Sequence, residues 1–251
     1  IAKAPVANVS STLGGRVSGV LSRQGSGEPG SDADEIHIRG IATTGNAAPL
    51  VIINGIPGDY NQLNPNEIES ISILKDATAV APYGLGGANG VILVTTKRGK
   101  EGKTTFNYDG YYGFQRPTRY PHYLNAYDFA VMENAANANA NLPAAWTDGD
   151  LQKFKDHSDL LHYPDHDWIR EVVNFNAPMT GHTLSFNTGN KKLRVYSDLG
   201  YLYQEGIVNV ISFKRYNATV NVDADVTATT TLSMDVNGSL TRQEEPGGST
   251  G

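Results

Sequence analysis

The stretch that decides the fold reads Arg215-Tyr216-Asn217-Ala218-Thr219-Val220-Asn221-Val222-Asp223-Ala224. Its even positions are aromatic or apolar, and its odd positions carry Arg, Asn, Thr and Asp. Because a strand points successive side chains to opposite faces, this alternation predicts a half-buried antiparallel strand with one wet face. The pattern recurs in residues 106–114, 184–188, 193–203 and 232–240. Strands of about ten residues with a polar inward face and tyrosines near their ends are typical of membrane-spanning barrels.

The first hundred residues follow a different pattern. They are rich in glycine, and short aliphatic runs at 35–39, 50–54, 70–74 and 91–97 are separated by turn signals. This combination predicts a compact α+β domain. A short helix is expected to start at Asn64-Pro65, which offers an N-cap followed by proline at the first helical position. A second capped turn is expected over residues 76–81, ended by the proline at position 82.

Composition excludes several classes of protein. The chain has 251 residues and a net charge of −6, so it offers no broad basic surface for a nucleic-acid partner. Cysteine is absent, which excludes disulfides, a cysteine nucleophile and thiolate metal sites. No apolar stretch approaches the ~18 residues of a transmembrane helix, so a membrane role would require strands. The chain opens at Ile1 without a signal sequence, and we expect any signal peptide to lie outside it.

The connections between the alternating runs differ in length. Residues 189–191 and 226–228 are predicted as tight turns, whereas residues 115–182 and 205–213 form long connections, and residues 125–139 are helix-prone. Short turns on one side and long loops on the other are typical of an outer-membrane barrel. Alternation alone is equally compatible with a soluble antiparallel sandwich. The order of the two halves favours the barrel, because a barrel of about 22 strands needs a domain that fills its lumen.

Several long motifs carry a family resemblance. Residues 36–40, 49–57, 83–84 and 88–99 resemble the plug of SusC/RagA-family TonB-dependent outer-membrane transporters, as does the run Leu63-Asn64-Pro65-Asn66-Glu67-Ile68-Glu69-Ser70-Ile71-Ser72-Ile73-Leu74-Lys75-Asp76-Ala77. Residues 199–201 and 204–208 resemble the family's early barrel. The chain departs from the family at Asn54, where aspartate is usual, at Pro82 and at residues 85–87, and no TonB box is recognisable.

The resemblance implies an α+β plug domain over residues 1–100, followed by antiparallel transmembrane β-barrel strands over residues 101–251. The barrel would be incomplete, and residues 115–182 would form a long extracellular loop. The function implied is TonB-dependent import of a glycan or oligopeptide across the bacterial outer membrane, under a SusD-like surface lipoprotein. TonB would act on an N-terminal segment that is not recognisable here. Neither a cofactor nor catalysis is expected.

Two other functions stay open. A siderophore or cobalamin receptor would use the same architecture, and a secreted β-rich adhesin or binding module would have no membrane-embedded strands. An enzyme is the more distant alternative, because no Ser/His/Asp arrangement occurs in a nucleophile-elbow context.

Candidate site residues follow from the resemblance. The plug loops that face outward in this superfamily correspond to residues 23–34 and 57–63, so we expect the substrate to contact Gln24, Asp32, Asp34, Asp59, Tyr60 and Asn61. Contacts between the plug and the barrel are expected at Arg39 and Lys75, although both suit ordinary surface ion pairs equally well. Residues 157–167 hold three histidines and three aspartates, but their spacing matches no metal motif and favours a solvated loop.

Overall fold

A computed structural model describes residues 6–41 and 45–246. The chain forms two compact units, one made of residues 1–115 and 176–251 and the other of residues 116–175. No helix in the described ranges is long and apolar enough to cross a membrane.

The N-terminal region, residues 6–41 and 45–100, contains two small sheets. The strands β1 and β2 pair antiparallel. The other sheet has the order β4-β3-β6-β5, in which β3 and β6 are parallel. The strands are β1 (Val20–Gln24), β2 (Asp34–Ile38), β3 (Leu50–Ile53), β4 (Ile56–Pro57), β5 (Ile68–Leu74) and β6 (Val91–Thr96). The apolar runs predicted as buried strands are therefore strands, and β6 supplies the core with Ile92 and Val94.

The second half of the same unit is a five-stranded antiparallel sheet in the order β11-β10-β9-β8-β7. Its strands are β7 (Gly102–Gln115), β8 (Ala177–Gly189), β9 (Leu193–Glu205), β10 (Ser212–Thr227) and β11 (Thr230–Glu244). Each strand pairs with the next along the chain, and the sheet is open rather than closed into a barrel. The strands are longer than predicted, and β8 begins at Ala177, within the segment predicted as loop.

The burial of this sheet is the reverse of that of a soluble sheet. One face of the sheet carries the odd positions of β10 from Phe213 to Asp223, which are buried against the N-terminal region. We call this face the inner face. The outer face carries the even positions, among which Tyr216 and Val220 are exposed. Apolar side chains of the other strands extend this exposed outer face, namely Phe106, Tyr108, Leu184, Leu199, Leu232, Met234, Val236 and Leu240.

Of the two turns predicted in the N-terminal region, one differs from its prediction. The turn at Asn64 is capped as expected, with Asn64 and Glu67 forming a capping box, but it is a single 3₁₀ turn over Pro65–Glu67. The chain leaves this turn at once because Ile68 already pairs with Thr96 in the sheet. The helix α1 (Ala77–Val80) forms where a capped turn was expected, and it ends before Pro82, as predicted. A 3₁₀ segment (Ala81–Gly87) follows, in whose first turn Pro82 fits, and Gly84 interrupts it with a non-helical backbone conformation.

The second unit is a small helical cluster with its own aromatic core. It contains α2 (Ala126–Asn139), which is capped by Asn125 and lies in the segment predicted as helix-prone, α3 (Asp148–Asp156) and α4 (Trp168–Val172). The rings of Trp146, Phe154 and Tyr163 pack edge to face with centroids 5.2 Å apart. Hydrogen bonds from Thr147 and from the Tyr163 hydroxyl lower the pKa of Asp150 to about 2.

Candidate functional site: the interface between the N-terminal region and the sheet

Glu67 lies at the centre of the interface between the N-terminal region and the inner face of the sheet. Its side chain is 1% exposed, and both carboxylate oxygens accept a hydrogen bond. Oε1 accepts from the backbone N–H of Asn64 at 2.8 Å, and Oε2 accepts from the hydroxyl of Thr219 on β10. Burial raises the pKa of the Glu67 carboxyl, although these hydrogen bonds and the charge of Arg215 act in the opposite direction.

The 3₁₀ turn that contains Glu67 is also fixed to β8. The side-chain amides of Asn64 and Asn66 both donate to the hydroxyl oxygen of Thr183, at 2.9 and 3.0 Å. One hydroxyl therefore accepts two bonds from the same turn, which fixes the position of the turn along the strand.

Asparagines of β10 bind backbone groups of the N-terminal region. Asn217 donates to the carbonyl of Gln62 at 2.6 Å, and Asn221 donates to the carbonyl of Lys97 at 2.7 Å. Buried backbone carbonyls need partners, and the inner face of the sheet supplies them. The alternation in β10 thus predicts both the buried polar face and the kind of contact that it makes.

An ionic contact joins the end of the N-terminal region to two strands. The guanidinium of Arg98 lies 2.8 Å from Asp223 on β10 and 2.6 Å from Asp235 on β11. All three side chains are partly solvated, so this contact adds less than the buried bonds around Glu67.

Two glycines mark the places where the two layers approach most closely. A Cβ atom at Gly99 would lie 2.2 Å from the backbone nitrogen of Val195, so the chain passes backbone to backbone over β9. A Cβ atom at Gly200 would lie 2.5 Å from the amide nitrogen of Asn64. Elsewhere the interface between the two layers is less tightly packed and contains cavities of about 220 and 280 Å³.

Among the residues predicted to contact substrate, the side chain of Asp32 joins this network, whereas those of Gln24 and Asp34 are bonded within the N-terminal region. Asp32 is buried and accepts from Asn8 at 2.6 Å and from Gln204 of β9 at 3.0 Å. Gln24 donates to the carbonyl of Asp32 at 3.2 Å, and Asp34 accepts from Ser11 and Ser22. Their contact with a substrate stays a prediction.

The second predicted loop shows a similar mixture of burial and exposure. Asp59 is exposed and caps a 3₁₀ turn by accepting from the backbone N–H of Asn61. Tyr60 is 6% exposed, and burial raises the pKa of its hydroxyl, with the charges of Asp59 and Asp34 adding to the rise. Asn61 accepts from the backbone N–H of Ser10 at 3.1 Å. Of the three, Asp59 is the most accessible to a ligand.

Arg39 and Lys75, the predicted contacts with the barrel, have partners within the N-terminal region. Arg39 pairs with Asp76 at 2.6 Å, and both side chains are largely exposed. Lys75 donates to the carbonyl of Ser18 at 2.7 Å. The individual contacts that join the two layers were not predicted. The alternation in β10 did indicate that its odd positions are polar, which identifies the partner on the sheet but not the partner in the N-terminal region.

The histidine- and aspartate-rich segment of the helical unit forms local pairs. His162 lies 2.9 Å from Asp159, His166 lies 3.7 Å from Glu171, and Asp165 accepts from the backbone N–H of Ala126. Across residues 6–41 and 45–246, no group of three or more His, Cys, Asp or Glu side chains is placed to hold a metal ion.

This geometry has counterparts among known proteins. Residues 1–91 match the model of the TonB-dependent receptor plug domain. The chain is 34% identical over 229 residues to TonB-dependent receptor P26 of Formosa agariphila and 32% identical over 235 residues to TonB-dependent receptor SusC of Bacteroides thetaiotaomicron. These alignments cover 87% and 88% of the chain, which spans 22% of the length of each relative.

Comparison with solved structures points to the same group of proteins. The RagAB peptide transporter superposes with a TM-score of 0.82 and 26% identity over 96% of the chain and 30% of that protein. The siderophore receptor PirA of Acinetobacter baumannii gives a TM-score of 0.58 at 18% identity, again over 96% of the chain and 30% of that protein, which shows the fold alone.

The fold and these matches define a plug domain followed by antiparallel strands of a TonB-dependent receptor. Within that class, the chain belongs to the SusC/RagA family. From here on the N-terminal region is called the plug.

Proposed function

We propose that the protein containing this chain is an outer-membrane transporter that imports a glycan or an oligopeptide. A SusD-like surface lipoprotein would hold the substrate over the transporter, and TonB would pull on a segment N-terminal to the plug. No bond of the substrate is broken, so the protein acts as a transporter and not as an enzyme. The SusC-type relatives and the RagAB peptide transporter support this assignment.

The reversed burial of the five-stranded sheet is the observation that carries the proposal. Its polar face is covered by the plug along β8, β9 and β10, and its apolar face is exposed, with Phe106, Leu199 and Val236 more than half exposed. In water such a face would be unfavourable, whereas in a bilayer it is the stable orientation. A plug inside a lipid-embedded sheet requires a polar face toward the plug and an apolar face toward the lipid, and the sheet has both.

A row of rings on the outer face agrees with a membrane boundary. Tyr108, His182, Tyr201 and Tyr216 lie side by side across β7, β8, β9 and β10, with neighbouring centroids 5.1–6.4 Å apart. The Tyr108 hydroxyl also bonds Nδ1 of His182 at 2.7 Å. Barrels carry such aromatic girdles at the interface between lipid and water.

The plug is held by many separate polar contacts, which suits a part that must move. Glu67 and Arg98 of the plug bond Thr219 and Asp223 of β10. Asn217 and Asn221 of β10 donate to the carbonyls of Gln62 and Lys97 in the plug. Because each contact is small, a directed pull can break them one after another while the strand ladder stays intact. Asp59, Tyr60, Asn61, Gln24, Asp32 and Asp34 remain our proposed substrate contacts.

Growth of a deletion strain tests the proposal. The strain lacking the full-length gene is supplied with single polysaccharides, peptides or iron chelates as the limiting nutrient, and a plasmid copy of the gene is the control. We expect growth to fail on one polysaccharide or on peptides and to be restored by the plasmid. Failure only on an iron chelate or cobalamin would instead assign a siderophore- or cobalamin-type receptor. Recovery of the protein in the growth medium instead of the outer-membrane fraction would favour the adhesin.

A further inference from the structure

A buried arginine on β10 holds two separate segments of the plug. The side chain of Arg215 is 3% exposed. One terminal nitrogen donates to the carbonyl of Asn61 at 2.7 Å, and the other donates to the carbonyl of Ala7 at 2.6 Å. Residues 7 and 61 are far apart in sequence, so this guanidinium is a point at which two distant segments meet the sheet.

The first of these segments, residues 6–12, is attached to the sheet by apolar packing as well. Ala7 is buried in a cluster with Met179, Leu202 and Phe213, which belong to β8, β9 and β10. Asn8 continues the attachment through Asp32, which is bonded to Gln204. Along the described chain, this is the first place where the plug contacts the sheet.

The second segment, residues 58–63, contains the exposed Asp59 and the buried Tyr60. It is joined to the first segment directly, because the Ser10 backbone N–H donates to the Asn61 side chain. It is also bonded to β10 through Asn217 and the carbonyl of Gln62. The two segments therefore share one partner, Arg215, and each has a further partner of its own.

The charge of Arg215 makes this shared contact costly to break on one side only. Its two bonds go to carbonyl dipoles, and the nearby charges of Asp32, Glu67 and Asp59 balance the guanidinium from a distance. Hydrogen bonds from a buried charged group are stronger than neutral ones, and a lost carbonyl partner leaves donors of that charge unpaired. Losing either segment thus weakens the environment that the other one needs.

We propose that Arg215 is a positioning residue that couples residues 58–63 to residues 6–12, so that the two segments open as one unit. The coupling depends only on the described contacts and stands whether or not the protein is an importer. If the import proposal also holds, a change at the loop that contains Asp59 reaches the segment on the N-terminal side of the plug without any movement of the strands.

Native-state hydrogen exchange on the full-length receptor in lipid nanodiscs tests the coupling without a ligand. In the wild type, amides of residues 6–12 and 58–63 should show the same protection and the same dependence on denaturant, because they open together. Arg215→Gln should speed exchange about tenfold or more in both segments, since both lose a bond from a charged donor. Arg215→Lys, which can reach one carbonyl at a time, should give a smaller increase.

A second variant keeps the test decisive if the glutamine variant does not fold. Asn217→Ala removes a bond to the loop alone, yet with Arg215 present it should speed exchange in both segments by the same factor. In the Arg215→Gln background the same change should act mainly on residues 58–63. Lys214→Gln, on the exposed outer face beside Arg215, is the matched control and should alter neither segment.

Independent opening would overturn the proposal. If residues 6–12 and 58–63 of the wild type exchange with different protection, or if Asn217→Ala speeds only the loop while Arg215 is present, the guanidinium is merely one contact among many. A growth defect on nutrients has no bearing on this result, so the coupling and the import function fail separately.

Discussion

The two faces of strand β10 lie in different environments and differ in which side chains they bury. On the inner face, Thr219 and Asn221 are fully buried yet polar, and each bonds the plug. On the outer face, Tyr216 and Val220 are apolar yet exposed. Hydrophobicity alone would place these faces the wrong way round. The contrast teaches that burial in this sheet follows the partner of each face, which is protein on one side and, by our proposal, lipid on the other.

The sharpest way to break this comparison is a charge in the middle of the outer face. Val220→Lys should destabilise the full-length receptor in phospholipid vesicles by about 2–4 kcal/mol, because a cation at the bilayer midplane is costly. A urea titration of the folded form measures this. The control is Val226→Lys near the end of the same strand, where the cost should fall to about 0–1 kcal/mol. Equal effects at the two positions would mean that no bilayer covers this face.

A smaller effect is expected on the inner face. Thr219→Val keeps the shape of the side chain but removes the donor to Glu67, so a buried carboxylate oxygen loses its partner. The plug should be destabilised by about 1–3 kcal/mol, as measured by denaturant-dependent protease resistance of the plug. Thr241→Val on exposed β11 serves as the control and should stay within about 0.5 kcal/mol. A neutral result at Thr219 would show that the Glu67 contact does not hold the plug.

The smallest change concerns the dependence of plug stability on pH. The pKa of Glu67 is raised in the folded state, so the folded plug binds this proton more tightly than the unfolded chain does. Its contribution to stability is therefore fully present below the ordinary carboxyl pKa and is lost as pH rises through the raised value. Glu67→Gln should flatten the decline of plug stability between mildly acidic and neutral pH, measured by the same protease assay. An unchanged pH profile would exclude Glu67 as its source.

Much of the fold follows from local sequence pattern. Four strands of the plug, β2, β3, β5 and β6, and the alternating strands after residue 104 were predicted because period and turn signals are local properties. The short strands β1 and β4 were not predicted. The extent of β8 was missed, since polar Thr180 and His182 on its outer face and apolar Met179 on its inner face break the alternation. The helix expected at Asn64 proved to be one turn, because the pairing of Ile68 with Thr96 depends on a residue 28 positions away.

The interface was only half predictable. The polar inner residues of β10 were visible in the sequence, but their partners were not, since the bond between Thr219 and Glu67 joins residues 152 positions apart. Asp32 and Tyr60 were chosen as ligand contacts because they lie in predicted outward loops. The structure places them in buried networks with Gln204 and the plug core, which only the packing of the two layers could reveal.

The covalent link between the plug and the sheet bears on the order in which the plug would unfold under force. β6 ends at Thr96 and β7 begins at Gly102, so five residues tether the plug to the first strand, and at Gly99 this tether lies tightly against β9. In the proposed transporter, a force applied ahead of residue 6 would therefore unravel the plug from its N-terminal side toward a fixed anchor. The displaced chain would stay attached to β7 and could refold along the same route once the force is released.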